Sequence, residues 1–551
     1  NLMAQSTGWA INWSDYNRSP NEDTLWDVAT YYIVRFPGDG FGVFNRIIYV
    51  GTYLGYGIPA GQVSTFDISG NPIPPARGIK TFYDPTYTHS VSFQSVLPYY
   101  RRFFLDILSG FYIGGFVETG GNYDILITQL STTLRPLRTY TYYFDDTSDE
   151  VIYRLYKDGK GAAATGVIES FQVVGIGYTT FKGYSVMGGK NILVLGVDSI
   201  LNPVLSCIYG GQRTDVGTYL YKIDDTTYMV LGYTDSYIEA GKYGVYVAKI
   251  NTLNCKPYWI RIYYDTTANL IPYAISKNVV ITHPPINGKM TLFHITGTAI
   301  DPTSYTRKYT MFFLTIDSLG DVMNYKRYYV SLSYSDNLWG FENIVLNGDV
   351  IVAGGIGAQW LFTDELPRFG ASHISPLSEQ GGDAILIRLN YLGDTIWARR
   401  YGNWVELSGS DVTKFTHSEG FLMWLDKIND SSIVSAGIIL DSVATADRNL
   451  ENFSVRARFL DGDAGPCEDT ITVNIFKTPI KVLSDTAFSP VFINRQVFNI
   501  ISEDLSGRVI DCVHNETPFG GVRSGPRDFS SRCADIQKYT VYTISGKKVK
   551  D

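Results

Sequence analysis

The sequence has few charged residues, which make up 18% of its 551 residues, and it has no excess of basic ones. Its 46 Lys and Arg residues are outnumbered by 54 Asp and Glu residues, so the net charge is −8. A protein that holds nucleic acid through its phosphates needs a clustered basic surface. The composition therefore predicts a protein with no nucleic-acid partner.

Long apolar runs are also missing, since no stretch approaches the roughly 18 to 20 residues that a membrane-spanning helix needs. The most apolar stretch, Phe103 to Phe116, contains Asp106, Ser109 and Gly110. We predict a buried pair of strands there and no transmembrane segment. The first four residues, Asn1 to Ala4, resemble the end of a cleaved signal peptide.

The motifs of common catalytic and metal sites are absent. The five Cys residues show no CxxC spacing and the six His residues form no HExxH pattern, so no zinc site is indicated. There is no G-x-S-x-G elbow and no Walker A loop. Asp461-Gly462-Asp463 resembles the start of a calcium loop but lacks the downstream Glu. We predict no catalytic residue, no cofactor and no metal.

The five cysteines leave two states open, buried inert thiols or disulfides. Cys512 and Cys533 lie close enough in sequence to close a loop and form our candidate disulfide, while Cys207 and Cys255 fall on neighbouring repeats. Glycosylation sequons occur at five asparagines, which matter only if the protein is exported. These candidate sites are Asn12, Asn17, Asn429, Asn452 and Asn515.

What the sequence has in abundance is aromatic residues and glycine, with 41 Tyr, 29 Phe and 53 Gly. Aromatic side chains suit a pleated, half-buried strand, and Gly supplies the turns between short strands. No long window is dominated by helix-forming residues. The composition predicts an all-β fold.

One pattern recurs along the chain: an apolar strand, a short turn, a strand with a basic residue two positions before an aromatic one, and a further apolar strand. The clearest copy is 382–402, with its closing strand at 433–437. The aromatic positions recur every 54 to 72 residues, at Phe82, Tyr140, Tyr209, Tyr263, Tyr329 and Tyr401. Each unit is long enough for four short strands, which is typical of a β-propeller blade.

A seventh unit is split between the two ends of the chain. Residues 453–460 match an opening strand, and residues 47–52 match a closing strand without an upstream partner. We therefore predict a β-propeller of about seven blades closed by strands from both termini, with stacked β-sandwiches as the alternative. The predicted divisions are an N-terminal arm at 1–26, the propeller at 27–460 and a small C-terminal β-rich appendage at 461–551.

Residues 382–402 and 209–234, with Tyr209-Gly210-Gly211 and Leu231-Gly232-Tyr233-Thr234, carry a family resemblance. They resemble the SBBP-type (delta-60) β-propeller repeats of exported proteins. That resemblance implies a propeller fold and an exported setting, and it implies no reaction. Residues 539–549 are similar to part of a type IX secretion sorting domain, with an ordinary edge strand as the alternative.

The basic–x–aromatic step allows two interpretations. The Arg and Tyr pairs could bind anionic sugars, or the aromatic rings could pack between blades under the aliphatic parts of the Arg side chains. We favour packing.

From these patterns we predict an extracellular or cell-surface protein that is not an enzyme and has a structural or adhesive role. It would be a homo-oligomer or polymer that assembles through its terminal strands. On that hypothesis, deleting residues 1–26 or the tail leaves a folded monomer. The alternatives are a glycan-binding propeller and a polysaccharide-degrading enzyme.

Overall fold

The computed structural model is built from β-strands and turns, and no helix occurs among the residues it describes. Consequently, no described helix is long and apolar enough to cross a membrane. The described residues are 9–15, 24–35, 42–53, 58–73, 79–86, 88–102, 106–157, 173–180, 189–224, 226–251, 253–282, 288–304, 308–331, 337–356, 383–401, 404–406, 413–415, 420–441, 449–464, 468–485, 487–505, 507–511 and 516–519.

The strands form seven antiparallel sheets, each of which is one blade of a propeller. In blades 1 to 6 the first four strands follow one another in sequence. Blade 1 contains β2 (Thr24–Arg35), β3 (Gly42–Tyr53), β4 (Ala60–Asp67) and β5 (Ile79–Tyr83); blade 2 contains β6 (Val91–Arg102), β7 (Asp106–Thr119), β8 (Asn122–Leu130) and β9 (Pro136–Tyr143); blade 3 contains β10 (Glu150–Lys157), β11 (Val173–Thr179), β12 (Asn191–Val197) and β13 (Pro203–Tyr209).

The second half of the ring repeats this order. Blade 4 contains β14 (Asp215–Asp224), β15 (Thr227–Thr234), β16 (Gly244–Asn251) and β17 (Pro257–Asp265); blade 5 contains β18 (Asn269–Thr282), β19 (Gly288–Ile300), β20 (Tyr309–Asp317) and β21 (Val322–Val330); blade 6 contains β22 (Leu338–Leu346), β23 (Asp349–Ile356), β24 (Asp383–Leu389) and β25 (Thr395–Tyr401). A small ribbon of β26 (Trp404–Glu406) and β27 (Thr413–Phe415) follows.

Blade 7 joins the two ends of the chain, as predicted. Its first three strands are β28 (Gly420–Asn429), β29 (Ser432–Asp441) and β30 (Asn449–Arg458), and its fourth is the N-terminal strand β1 (Trp9–Asp15). β1 pairs antiparallel with β30, and β28 packs against β2 of blade 1, which closes the ring.

The prediction named the wrong N-terminal strand for this closure. Residues 47–52 lie in β3 and pair with β2 inside blade 1, so they do have an upstream partner. The alternating Trp9–Asp15 segment, which we placed in an arm, completes blade 7 instead.

The middle strands of the blades are buried on both faces. All residues of β12 and all residues of β15 are buried, because each blade packs between two neighbouring blades. The half-buried strands that we predicted from the aromatic composition are therefore wrong for these middle strands. Their near-continuous apolar runs follow from having a neighbour on each side.

A repeated contact joins each of blades 2 to 6 to the blade that follows it. The hydroxyl group of Tyr263, at the end of blade 4, donates a hydrogen bond to the carbonyl oxygen of Gly320, and the two oxygens are 2.6 Å apart. Gly320 lies in the turn between the third and fourth strands of blade 5. Gly320 has a positive φ of 86°, a backbone conformation that favours glycine. The same contact recurs as Tyr142 to Leu201, Tyr209 to Cys255, Tyr328 to Gly393 and Tyr401 to Gly462.

The C-terminal segment runs once around the ring and adds an outer strand to every blade. These strands are β31 (Glu468–Thr470), β32 (Val473–Phe476), β33 (Ile480–Asp485), β34 (Phe488–Pro490), β35 (Asn494–Val497), β36 (Ile501–Leu505) and β37 (Gly507–Asp511). They pair in turn with β25, β21, β17, β13, β9, β5 and β1, so the chain visits blades 6 to 1 in reverse order and then blade 7. We call residues 468–511 the belt. A last strand, β38 (Glu516–Phe519), pairs with β37.

The belt changes how the two end segments are understood. The division of the chain at residues 26 and 460 stays a prediction, but strands from both end segments pair with blade strands. Among the described residues, the strands of the predicted small appendage form no separate sheet, because they are distributed over the seven blade sheets. Of these described strands, only β37 and β38 pair with each other.

One disulfide links neighbouring blades. Cys207 in β13 of blade 3 bonds to Cys255 in the turn before β17 of blade 4, with the two Cα atoms 6.3 Å apart. The candidate pair Cys512 and Cys533 lies outside the described residues, and it stays a prediction.

Candidate functional site

The two faces of the ring are defined by the order of the strands. Because each blade is an antiparallel meander, the turns between its first and second strands and between its third and fourth strands lie at one end. We call that end the tip face. The opposite end, which carries the second-to-third turns and the connections between blades, is the loop face.

The tip face is apolar. Among the described residues, every exposed large apolar side chain outside the belt lies on this face. Five occur at the start of a fourth strand: Leu137, Val204, Tyr258, Met323 and Ile396. Six occur in or beside the turn that follows a third strand: Ile200, Leu253, Leu319, Tyr391, Leu392 and Leu460. Apolar exposure on one side, repeated from blade to blade, marks an interaction surface.

Long first hairpins add to the tip face in three blades. In blade 1, β2 and β3 stay paired as far as Arg35 and Gly42, beyond the end of β4. The hairpins of blades 2 and 5 extend in the same way. They carry the remaining exposed apolar side chains Val43, Phe44, Ile107 and Val279. The hairpins of blades 1 and 2 touch, with the rings of Tyr32 and Tyr100 stacked at 4.7 Å.

The turns of the tip face hold their shape through polar side chains at their first position. The Asp317 carboxylate accepts hydrogen bonds from the backbone N–H groups of Leu319 and Asp321, at 2.8 and 2.9 Å. Asp198 and Asn390 do the same in blades 3 and 6. This Asx-turn geometry places an apolar residue two positions later at the tip.

The central channel is lined by a bulge in the first strand of every blade. Near its start, each first strand shifts its register against the second strand, and the first strands of blades 2, 4 and 7 shift a second time further along. The residues inserted near the start are Trp26, Gln94, Tyr153, Thr218, Tyr273, the pair Phe341 and Glu342, and Met423. A β-bulge redirects a side chain, and here seven bulges act on the innermost strands.

Beside the bulges, one guanidinium lies among carboxyl groups from other blades. Arg154 of blade 3 forms a salt bridge with Glu342 of blade 6, and its Nη2 lies 4.0 Å from Asp27 Oδ1 of blade 1. Its guanidinium also lies over the rings of Tyr219 and Trp424, 4.7 and 5.1 Å from their centroids.

The three carboxyl groups of this cluster resist ionisation. Burial raises the pKa of Glu342 to about 7, although Arg154 opposes the shift. Burial also raises the pKa of Asp27 and that of Asp426, and the charge of Asp27 adds to the shift at Asp426. Because Glu342 and Asp27 share one guanidinium and Asp426 lies close to Asp27, the cluster has an excess of potential negative charge.

A small cavity adjoins this cluster. It has about 30 Å³ of space for water-sized groups, and its walls are Tyr153, Thr218, Tyr273, Phe341, Glu342, Met423 and Trp424. Three polar atoms of these walls are buried without a hydrogen-bond partner: Thr218 Oγ1, Glu342 Oε1 and Trp424 Nε1. Buried polar groups are normally paired with protein, water or a ligand.

A larger cleft of about 420 Å³ opens on the loop face of blade 2. Its polar walls include Asn122 and Asp124, and Thr119 Oγ1 donates to Asp124 Oδ2 at 2.7 Å. The belt supplies Gln496 and Phe498, and the Phe498 ring lies 6.1 Å from that of His89. The volume suits a small ligand or one sugar unit.

The basic residues of the repeated basic–x–aromatic step contact the belt. Lys80 pairs with Asp504 at 3.0 Å, and Arg399 pairs with Glu468 at 2.9 Å. Arg261 donates to Ser484, and Arg327 lies over the Phe476 ring at 4.8 Å. These four cations are therefore used inside the molecule, which argues against the sugar-binding interpretation.

The predicted glycosylation sites fall in different settings. Asn429 is exposed in the turn between β28 and β29, where its Oδ1 accepts from Ser431 N at 2.9 Å. Asn12 and Asn452 lie in β1 and β30, each paired on both sides. Asn17 and Asn515 lie outside the described residues, and modification at all five stays a prediction.

Sequence reasoning missed the channel cluster. The sequence feature that could have revealed it is a charged residue within an otherwise apolar strand, which occurs at Asp27, Arg154 and Glu342. No group of three or more His, Cys, Asp or Glu side chains in the described part of the chain is arranged to hold a metal ion.

Comparison with known proteins assigns this chain to no family. No family model matches the chain, and no curated protein matches it. Among solved structures, a phage phi92 endosialidase is similar, with 9% identity, a TM-score of 0.33, and coverage of 98% of this chain and 91% of that one. A likeness this weak carries no argument about activity. The resemblance to SBBP-type repeats stays a prediction, and residues 539–549 lie outside the described residues.

Proposed function

We propose that this protein is an exported, non-enzymatic structural subunit that assembles with further copies of itself through the tip face. The observation that carries the proposal is the one-sided distribution of exposed apolar side chains. Ile200, Leu253, Leu319, Leu392 and Leu460 place one such residue on each of five successive blades. The disulfide between blades 3 and 4 fits an oxidising, extracellular setting.

A second copy is the partner that suits this face best. A ring of repeated apolar tips is self-complementary, so two such faces can meet around a twofold axis. An anionic lipid surface suits it less, because the same turns carry Asp198, Asp317, Asp321 and Asp394 beside the apolar tips. Assembly through the terminal strands, our earlier hypothesis, would require β1 to leave partners that it has on both sides.

The channel offers poor conditions for a polysaccharide-degrading enzyme. Glu342 and Asp27 converge on Arg154, but their side chains are only 1% and 5% exposed. The adjoining cavity of about 30 Å³ holds far less than a sugar chain.

Electron microscopy and sedimentation of the purified protein test the assembly. We expect face-to-face dimers from the wild type and monomers from the triple variant Leu253→Ser, Leu319→Ser, Leu392→Ser. The matched control is Val482→Ser, Phe492→Ser, Val497→Ser, which removes exposed apolar side chains of the belt and should leave assembly intact. A wild-type protein that stays monomeric at high concentration would refute the proposal.

Glycan binding at the loop-face cleft is a second candidate function. The cleft combines polar groups at Asn122 and Asp124 with aromatic rings at Tyr143 and Phe498, which suits the polar and apolar sides of a sugar. A glycan array should then give signals that Asp124→Asn abolishes and that the tip-face triple variant leaves unchanged. An array without signal for the folded wild type would exclude this function.

A further inference from the structure

We infer that the cavity in the central channel binds a small alkylammonium group, held by the Glu342 carboxylate within a wall of aromatic rings. This inference is independent of the proposed assembly. It concerns a site that faces the channel axis, whereas assembly uses the tip face.

The walls of the cavity have the composition of a cation site. Tyr153, Tyr273, Phe341 and Trp424 contribute aromatic rings, and Met423 contributes a thioether. Ring faces attract ammonium and guanidinium groups, most strongly where water is excluded. The protein already uses this attraction nearby, because Arg154 lies over Tyr219 and Trp424.

An unpaired acceptor points to the ligand's donor. Glu342 is 1% exposed, and its Oε2 is bound by Arg154 while its Oε1 has no hydrogen-bond partner. Thr218 Oγ1, also unpaired, can accept a second hydrogen bond from an N–H group. An ammonium group can therefore donate to both oxygens.

The charge of the surroundings favours a cation over a neutral ligand. Arg154 is the one cation that faces Glu342 and Asp27 in the described part of the channel, and Asp426 lies close to Asp27. Bound ammonium would bring this cluster closer to neutrality, which lowers the cost of burying ionised carboxylates.

The size of the cavity limits the group to two or three heavy atoms. Since about 10 to 15 Å³ of such space holds one water, 30 Å³ holds roughly two to three. Methylammonium and dimethylammonium fit this limit. For so few atoms we expect a dissociation constant in the millimolar range.

The test is titration of the full chain with dimethylammonium chloride, followed by tryptophan fluorescence and by melting temperature. The ligand controls are sodium chloride at equal ionic strength and ethanol, a neutral molecule that also has three heavy atoms. We expect saturable binding of dimethylammonium alone. Saturable binding of ethanol with equal affinity, or no binding to the folded protein, would overturn the inference, and the cavity would then be a site for ordered water.

Two variants separate the ligand contacts from the fold. Glu342→Gln should weaken binding at least tenfold, and Tyr273→Leu, which keeps the Arg154 salt bridge, should weaken it at least threefold. Glu150→Gln removes another buried carboxyl group, outside the cavity walls, and should leave binding unchanged. Equal binding by wild type and by folded Tyr273→Leu and Glu342→Gln proteins would refute the assignment.

Discussion

Glu150 shows how a single buried carboxyl group makes the stability of this fold depend on pH. It begins the first strand of blade 3 and is fully buried, and its Oε1 accepts a hydrogen bond from Thr179 Oγ1 at 3.0 Å. Burial raises the pKa of its carboxyl group to about 7, above the usual 4.5. The folded protein therefore holds this proton more tightly than the unfolded chain does.

We predict that Glu150→Gln stabilises the protein above neutral pH. Below about pH 4.5 the carboxyl group is protonated in both states and costs nothing. Between about pH 4.5 and pH 7 the group ionises in the unfolded chain but stays protonated in the folded protein, so wild-type stability falls over this range by up to about 3 kcal/mol. Urea unfolding should therefore show a clearly larger gain for the variant at pH 8 than at pH 5.

The buried Thr128 of blade 2, which does not titrate, supplies the control. Thr128→Val should shift the urea midpoint equally at both pH values. A Glu150→Gln protein whose advantage is the same at pH 5 and pH 8 would contradict the assigned role of burial.

Residue spacing predicted the blade-to-blade tyrosines with small errors. Tyr209, Tyr263 and Tyr401 were identified from the repeat, and each donates to a turn carbonyl of the next blade. In two units the neighbouring residues Tyr142 and Tyr328 make the contact instead of Tyr140 and Tyr329. Both units contain several tyrosines in one strand. Tyr140 and Tyr142 lie on the same face and Tyr328 and Tyr329 on opposite faces, so the repeat spacing alone could not decide which ring reaches the next blade.

Among the structural elements, the belt has the greatest effect on the surface. Without it, the fourth strand of each blade would present unpaired backbone N–H and C=O groups to solvent. The belt pairs with each of these strands, and Ile471, Val491, Ile493 and Ile500 add buried apolar contacts. Belt strands are short, so each blade edge is covered over three to six residues.

We predict that a chain ending at Ala464 still forms blades but aggregates. Its exposed fourth strands would pair with those of other copies, and β1 would lose one of its two neighbours. Light scattering should rise at micromolar concentration, and hydrogen exchange should accelerate in β17 and β21. Without the belt, β17 would lose its partner β33, and β21 would lose its partner β32.

The matched control is a chain ending at Gly520, which keeps all seven belt strands. It should behave as the full chain does in both measurements. If the chain ending at Ala464 showed unchanged exchange in β17 and β21, the belt would have no protective role.

The belt was hard to predict because its strands carry no repeat of their own. The sequence predicted a β-rich segment at 461–551, but strands of three to six residues cannot indicate which blade strand each of them pairs with. The bulges escaped prediction for a related reason. An inserted residue leaves a strand's composition unchanged, and only the pairing reveals it.

At the scale of the whole molecule, the ring is closed by strand pairing at one place. β1 lies between β30 and β37, so both of its neighbours come from the last part of the chain. Trp26 and Asp27, which we had assigned to the arm and the ring boundary, are buried in β2. The N-terminal segment therefore belongs to the ring.

We predict that deleting residues 1–23 opens the ring, which reverses our earlier hypothesis of a folded monomer. Blade 7 would keep three strands, and β37 would lose its blade partner. The expected result is a larger hydrodynamic radius and early proteolysis of blades 7 and 1. A deletion protein as compact and as resistant to protease as the full chain would show that β1 is dispensable.

Counting the repeats predicted the seven-bladed architecture and its closure by both ends of the chain, because the repeated pattern extends over most of the sequence. It could not predict the functional surfaces. The tip face arises from Leu319, Leu392 and their counterparts in single turns, and the channel cluster joins residues of blades 1, 3 and 6 that are far apart in sequence.

The belt also constrains how this fold can change during evolution. A propeller without such a segment gains or loses a blade by one duplication or deletion of a gene segment. Here each of blades 1 to 6 has its fifth strand in a separate part of the gene, in the opposite order. A new blade therefore needs two coordinated changes, one in the repeats and one at the mirrored position of the belt, which tends to preserve the number of blades in descendants of this protein.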